Sequence, residues 1–422
     1  MSDAVTTPDA SSATGARPRA FAALDPLVAR ALLTLIGARS LDLVLHDGRV
    51  VSSGATPADM RLTFKTPSAL WRVLANPEFQ FGELYTRGEI VVEGDLTSFL
   101  EGTYAAMRAS ILRRWKWPWW MRRDYWGQSW RSAREDIHHH YDIGNEFYAL
   151  WLDPTLTYTC AYFAEPGYSL EAAQLAKLEH VARKLRLAPG ERVLELGSGW
   201  GALALYMAKH HGVKVRSYNL SHEQVVYARE LAAREGLSSS VEFVEDDFRS
   251  ATGQYDALVS VGMLEHVGPK KYRQVGSVMD RCLTRQGRGL IHAIGRNRPS
   301  APNQWLHRRI FPGGYAPALR ELVSVFEPHG FSVLDVENLR LHYAKTVEEW
   351  LRRFEASLDR IRDMFDEPFI RAWRLYLAAS TASFRVGGHQ LFQIVFAREQ
   401  HNEIPWTRAD IYRTSPESGA AQ

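Results

Sequence analysis

At 422 residues, 45% of them hydrophobic and 23% charged, the chain is long enough for two domains, or for one large α/β domain with an appendage. A net charge of +3 argues against nucleic acid as a bulk partner, and two cysteines exclude a disulfide framework. With no apolar run long enough to span a bilayer, a reduced cytoplasmic protein is the simplest expectation.

Residues 1–20 are rich in Ser, Thr, Ala and Pro, lack the apolar centre of a secretory signal, and read as disordered. The next segment, "LDPLVARALLTLIGA", is apolar but carries Asp25 and Arg30 and is too short to cross a membrane. A first unit covers 21–109. In it "LDLVLHDGRVVSSG" alternates and turns at Asp47-Gly48, a hairpin signal. "MRLTFKT" adds a strand, "PSALWRVLANP" a short helix closed by Pro77, and "GEIVVEGDLTSFLEGTYAAMR" a strand and a helix. No cluster of catalytic residue types falls here, so a small α+β lipid-binding or docking domain is expected.

Residues 110–134 are different in kind. Ile111 to Arg134 hold six Arg and one Lys against one Asp, a local +6 that leaves the rest of the chain net acidic. The same window has six of the thirteen tryptophans, at 115, 117, 119, 120, 126 and 130. Indole and guanidinium together suit a membrane–water interface, so peripheral contact with phospholipids is expected; a linker with buried aromatics is the alternative. Consecutive His138, His139 and His140 cannot converge on one ion from a helix or strand, so no metal is expected.

From 135 to 400 strands and helices alternate. "ERVLELGSGWGALALYMAKHHG" is strand–turn–helix, and "VKVRSYNLSHEQVVYARELAAREG" repeats it, with Ser221 and Gln224 as a capping box and Gly236 at the helix end. "VEFVEDDF" and "YDALVSVGMLEHVG" supply two more buried strands and "RGLIHAIG" a fifth; "FSVLDVENL" and "LFQIVFARE" form a late pair. This is the grammar of a doubly wound, Rossmann-like α/β sheet, with ligands at the carboxyl ends of its strands. Arg308 and Arg309, in "HRRIFPGG", fall on an expected lid loop, for phosphate contact or as solvated charge. Residues 401–422 are expected to be a tail.

"ELGSGWGA" places Gly197, Gly199 and Gly201 at the start of the first helix, where backbone N–H groups meet a ligand. As a dinucleotide loop the match is weak. Glu195 before the first glycine would repel a pyrophosphate and attract an ammonium group, and Asn219 stands where dinucleotide enzymes place an acid. Asp246, Asp247 and Phe248 after the third strand suit an adenine amine and its ring face. S-adenosylmethionine satisfies all three, giving a class I methyltransferase sheet.

"HHHYDIGNEFYALWLDPTLTYTCAYF", the glycine loop and "GMLEHVG" together resemble the cyclopropane-fatty-acid-phospholipid synthases, S-adenosylmethionine-dependent enzymes that add a methylene to a lipid double bond. The likeness runs from Tyr141 to about Phe396, and "GELYTRGEIVVEGDL" resembles the extra domain of the phospholipid-acting members. It implies that Tyr158 and Thr159 line the cofactor, Thr where Ser is usual, with Glu195, Gly197 and Gly199. Asn219 to Gln224, including Ser221, would meet its ribose and methionine end. It further implies that Cys160, Glu265, His292, Ile294 and Tyr343 hold a bicarbonate ion, with Leu264 replacing a more usual Phe. An alkene attacks the sulfonium methyl, a carbocation forms among aromatic faces, and proton loss to a small base closes the ring. Cys160 would position that base and not act as a nucleophile. Unsaturated acyl chains of membrane phospholipids are the expected substrate, at the inner face of the cell membrane. A methyl-branched or methylene product and a small-molecule methyltransferase are the alternatives. Dimers are common among the lookalikes, so a homodimer is one expected assembly.

Overall fold

The structure, a computed structural model, describes residues 23–37, 40–54, 58–109 and 143–412. The expectations for 1–20, for the Trp/Arg segment 110–134 and for His138 to His140 lie outside those residues, as does the tail beyond 412.

The first unit is a four-stranded sheet under helices. Helix α1 (Asp25–Ile36) precedes β1 (Leu41–Val44), β2 (Val50–Ser52) and β3 (Met60–Phe64). Helices α2 (Ala69–Ala75) and α3 (Pro77–Thr86), strand β4 (Ile90–Glu93) and helix α4 (Leu96–Ala109) follow. The strand order is β2-β1-β3-β4, with β1 parallel to β3 and the other pairs antiparallel. Leu41, Leu43 and Leu45 alternate inward, and Gly48 turns the expected hairpin at φ 86°. Pro77 does more than close a helix. Asn76 Oδ1 accepts the Phe79 N–H (3.2 Å), and Pro77 takes the first position of α3, where its missing N–H is not needed. Helix α3 is therefore an addition to the sequence reading.

The second unit opens with α5 (Asn145–Ala149) and α6 (Leu170–Leu185). Then β5 (Arg192–Leu196), α7 (Ala202–His211), β6 (Lys214–Asn219), α8 (His222–Arg234), β7 (Val241–Glu245) and β8 (Tyr255–Val261) alternate. Helix α9 (Tyr272–Cys282) leads into β9 (Leu283–Gly295), and α10 (Gln304–Arg309) and α11 (Leu319–Leu322) precede β10 (Phe331–Asn338). Helices α12 (Arg340–Ala356), α13 (Leu358–Met364) and α14 (Glu367–Arg385) come before β11 (Gln390–Arg398) and α15 (Ala409–Tyr412). The seven strands lie in the order β10-β11-β9-β8-β5-β6-β7. Strands β5 to β9 are parallel, and β11 inserts antiparallel between β9 and β10. Val193, Leu194 and Leu196 of β5 are fully buried, as a parallel strand covered on both faces requires. β7, expected to be buried, is the sheet edge, and only Val241 and Phe243 turn inward.

The two units share a wall. Helix α14 packs on α12, α3 and α4, and Arg371 donates to the carbonyls of Tyr85 (2.6 Å) and Ile90 (2.9 Å). Helix α3 grips α10. Arg309 Nε and Nη2 each donate to the buried Glu83 carboxylate at 2.6 Å, Arg308 covers the Phe79 ring at 4.8 Å, and Trp305 lies against Gly82. Both arginines thus make contact between the units while staying exposed to solvent, and they lie on helix α10, not on a loop. Removing Arg309 would leave the buried Glu83 carboxylate with the longer contact to Arg87 (3.4 Å), at a cost of about 3 kcal/mol. Among the described residues no helix is long and apolar enough to cross a membrane.

Candidate active site

A cavity of about 280 Å³ opens at the carboxyl ends of β5, β6, β8 and β9, where a doubly wound sheet places its ligands. Its polar end includes Thr159, Lys177, Glu195, Asn219 and Gln224; its apolar end includes Leu306, Phe311, Val347, Tyr376 and Phe384.

The glycine loop owes its shape to two close approaches. Gly197 (φ 96°) would place a Cβ 3.1 Å from Met263, and Gly201 (φ 91°) one 2.8 Å from the Phe243 ring. Only glycine fits both conformations. Gly197 and Gly199 line the cavity, whereas Gly201 packs behind it. Asn219 staples the loop, its Nδ2 donating to Ser198 Oγ (3.0 Å), Gly199 O (3.1 Å) and Gln224 Oε1 (2.9 Å). Gln224 therefore reaches Asn219 and does not complete the expected capping box; Ser221 caps α8 alone, fully buried. Asp247 and Phe248 fall outside the cavity lining, and the Asp247 carboxylate receives Arg249 Nε (2.7 Å) and Nη2 (2.6 Å).

Thr159 and Glu195 meet the cavity from below. Gln174 Nε2 donates to the carbonyls of Thr157 (3.1 Å) and Thr159 (3.0 Å), and Lys177 Nζ donates to Thr159 Oγ1 (3.0 Å). An ammonium has no acceptor, so the Thr159 hydroxyl receives there and keeps its own proton to donate to a guest. Burial pulls Lys177 down to about 8 and pushes Glu195 up to about 7; the Ser217 hydroxyl, 2.5 Å from Glu195, opposes the latter. Leu156, held at φ 53°, leads into this segment, and Asp153 braces it by accepting the Thr155 (2.9 Å) and Thr157 (3.0 Å) amides.

The expected anion residues divide. Ile294 N–H donates to Glu265 Oε1 at 2.6 Å, and burial pushes Glu265 up to about 7. Glu265 Oε2 and His292 Nε2 are buried with no hydrogen-bond partner among the described residues. Tyr343 lines the cavity with Tyr158, both packed on Trp350 (5.9 and 5.2 Å between centroids), and Tyr158 Oη lies 2.7 Å from Tyr376 Oη. His292 and Cys160 stand behind the lining. Cys160 is fully buried, its thiol donating to the Ala161 carbonyl (3.2 Å), and burial pushes its pKa far up, which disfavours the thiolate form.

Sequence reasoning passed over α6. Gln174, Lys177, His180 and Lys184 are all buried on its sheet-facing side, interleaved with Ala173, Leu178 and Val181. Their three- and four-residue spacing was the available signal.

The family model for mycolic acid cyclopropane synthetase matches residues 128–394. The chain is 36% identical over 379 residues to the cyclopropane-fatty-acyl-phospholipid synthase of Escherichia coli K12, covering 86% of this chain and 93% of that one. It is 34% identical over 389 residues to a probable fatty acid methyltransferase of Pseudomonas putida, covering 88% and 96%. The solved structure of a mycolic acid cyclopropane synthase complexed with SAH and CTAB matches with a TM-score of 0.60 at 29% identity, over 63% of this chain and 98% of that one.

If the Thr159 hydroxyl donates to the carboxylate of the cofactor's amino-acid end, Lys177→Met will weaken S-adenosylhomocysteine binding about 10-fold. Methylthioadenosine, which lacks that carboxylate, should bind as before. Calorimetry with both ligands checks this, and equal losses for the two would assign Lys177 to folding alone.

Proposed function

The chain belongs to the mycolic acid cyclopropane synthetase family and is an S-adenosylmethionine-dependent lipid methyltransferase; we propose that it forms cyclopropane rings on unsaturated acyl chains of membrane phospholipids. The observation that carries this reading is an aromatic-walled cavity lined by the buried Glu265 carboxyl, with the His292 imidazole behind that lining; Glu265 Oε2 and His292 Nε2 both lack partners among the described residues. S-adenosylmethionine supplies the electrophilic methyl group when bound. Glu195, Thr159, the glycine loop, Asn219 and Gln224 bind and orient its polar end. Tyr158, Tyr343, Tyr376 and Phe384 surround the acyl end with ring faces, which tolerate positive charge and keep water out.

Glu265, His292, the Ile294 amide, Tyr343 and Cys160 would hold bicarbonate, a small base for the proton lost on ring closure. The donors fit a small oxyanion: a phenol, a neutral imidazole and a carboxyl that burial raises to about 7, with the Ile294 amide acting through the Glu265 oxygen to which it donates. The phospholipid reading draws support from coverage. The match to the E. coli synthase takes in 86% of the chain and the match to the mycolic acid synthase structure 63%. The difference corresponds in size to the N-terminal unit, which we read, with the Trp/Arg segment, as a docking device for the cytoplasmic membrane face.

Incubation with vesicles of dioleoyl phospholipid and S-adenosylmethionine should add one methylene per double bond, with high-field ring protons in the NMR spectrum of the product. Vinylic protons in their place would assign a methylene fatty acid and overturn the ring-forming reading.

The Glu265 carboxyl gives a pH dependence of defined sign. Below about pH 7 it is protonated and donates to the anion; above that it is ionised and repels it. Apparent bicarbonate affinity should therefore fall toward about 10-fold per pH unit above 7 in the native protein. In Glu265→Gln that decline should vanish, while S-adenosylhomocysteine affinity is kept. Parallel profiles for the two proteins, from bicarbonate half-saturation at several pH values, would remove Glu265 from the anion site.

Replacing Arg113, Arg114, Arg122 and Arg123 by Gln should weaken binding to anionic vesicles by about 1 kcal/mol per charge at low salt, without changing cofactor affinity. Equal co-sedimentation of both proteins would return this segment to a linker role.

A further inference from the structure

His292 is one member of a row that crosses three strands. Glu337 of β10 stands opposite Gln393 of β11, and Gln393 opposite His292 of β9. Helix α6 lays Lys184 over the row, its Nζ 2.7 Å from Gln393 Oε1 and 2.5 Å from Glu337 Oε2. Chemistry then orders the row from its outer end. A lysine ammonium only donates, so the carbonyl oxygen of the Gln393 amide must face it. The amide NH2 must face the other way, where Gln393 Nε2 lies 3.1 Å from His292 Nδ1. An NH2 group only donates, so Nδ1 accepts. A neutral imidazole carries a single proton, which is left on Nε2.

We propose that Lys184 and Gln393 are positioning residues that lock His292 in its Nε2–H tautomer, so that it offers a hydrogen-bond donor to a small oxyanion beside Glu265. The oxyanion part rests on the bicarbonate reading given above. Three observations bear on the lock. His292 Nε2 is buried and without a partner among the described residues, in a residue 1% exposed. Ile294, two residues on and therefore on the same face of β9, carries the contact to Glu265. Burial, assisted by the nearby Lys177 and Lys184 charges, holds the imidazole neutral. Glu337 completes the device. It also accepts His180 at 2.7 Å, and its ionised carboxylate is the counter-charge for Lys184, whose side chain is fully buried.

The test uses the full-length protein labelled with 15N-histidine, the His292 signals being assigned by their loss in His292→Gln. The native protein should show an unprotonated Nδ1 and a protonated Nε2. Gln393→Glu keeps the Lys184 contact but turns the donor facing Nδ1 into an acceptor, so the proton should move to Nδ1. Bicarbonate half-saturation in that variant should rise about 10-fold, the loss of one charge-assisted hydrogen bond, while S-adenosylhomocysteine affinity stays within about two-fold. A native Nδ1–H signature overturns the lock without recourse to any variant. A tautomer switch in Gln393→Glu with unchanged bicarbonate half-saturation overturns the link to the anion. Absence of any bicarbonate dependence in the native enzyme, with the native Nε2–H signature present, overturns the bicarbonate reading and leaves the lock standing.

Discussion

Burial of ionisable groups around one cavity governs the electrostatics of this molecule. Burial raises Glu195 and Glu265 to about 7 and lowers Lys177 to about 8, so three groups that would be fully charged at a surface converge near neutrality. The same cause keeps the Cys160 thiol protonated and the His292 imidazole neutral. A buried site cannot readily hold a thiolate without a strong cationic partner. The charge that acts most on Cys160 is Lys177, whose own ammonium is weakened by burial and committed to Thr159. Burial therefore keeps the Cys160 thiol protonated, and it donates to the Ala161 carbonyl.

The cavity walls depend on both units. Tyr158, with Trp350 and Tyr343 of α12 and Phe384 of α14, forms a continuous run of rings. The opposite wall depends on α10, whose Leu306 reaches the cavity while Arg309 is fastened to Glu83 of the first unit. Helix α14 carries Tyr376 into the cavity and Arg371 onto the backbone of the first unit. A change in the first unit would thus be felt at the cavity through two helices, with no residue of that unit in its lining. This is how a domain without catalytic residue types can matter to catalysis.

What the sequence revealed and what it hid divide along the range of the interactions. The strands from Arg192 to Val261 were legible because period and glycine punctuation are local properties. Pro77 was ambiguous because proline ends one helix and opens another with equal ease; the Asn76 cap before it was the overlooked sign. The spacing of Ser221 and Gln224 fits a capping box whether the glutamine turns back or reaches Asn219, and only the position of the glycine loop decides. Arg309 finds Glu83, 226 residues away, a pairing no local pattern encodes. The residues expected to hold an anion were read one motif at a time, yet Glu265 and Ile294 are in direct contact while Cys160 and His292 stand behind the cavity lining.

Helix α6 is where the hidden part of the site resides. On its face, "QLAKLEHVARK" has the polar spacing of a solvated surface, and it is buried because β10 and β11 bring Glu337 and Gln393 against it. Lys177 and Lys184 are seven residues apart, two helical turns or about 10 Å. One fixes the direction of the Thr159 hydroxyl and the other that of the Gln393 amide, each by being a donor with no acceptor. Two buried ammonium groups on one rigid element thereby set which atoms can donate at the cofactor end and behind the anion residues. Replacing either by an apolar side chain would leave the backbone path of α6 intact and release one hydrogen-bond direction, so the helix acts on the chemistry through polarity and not through shape.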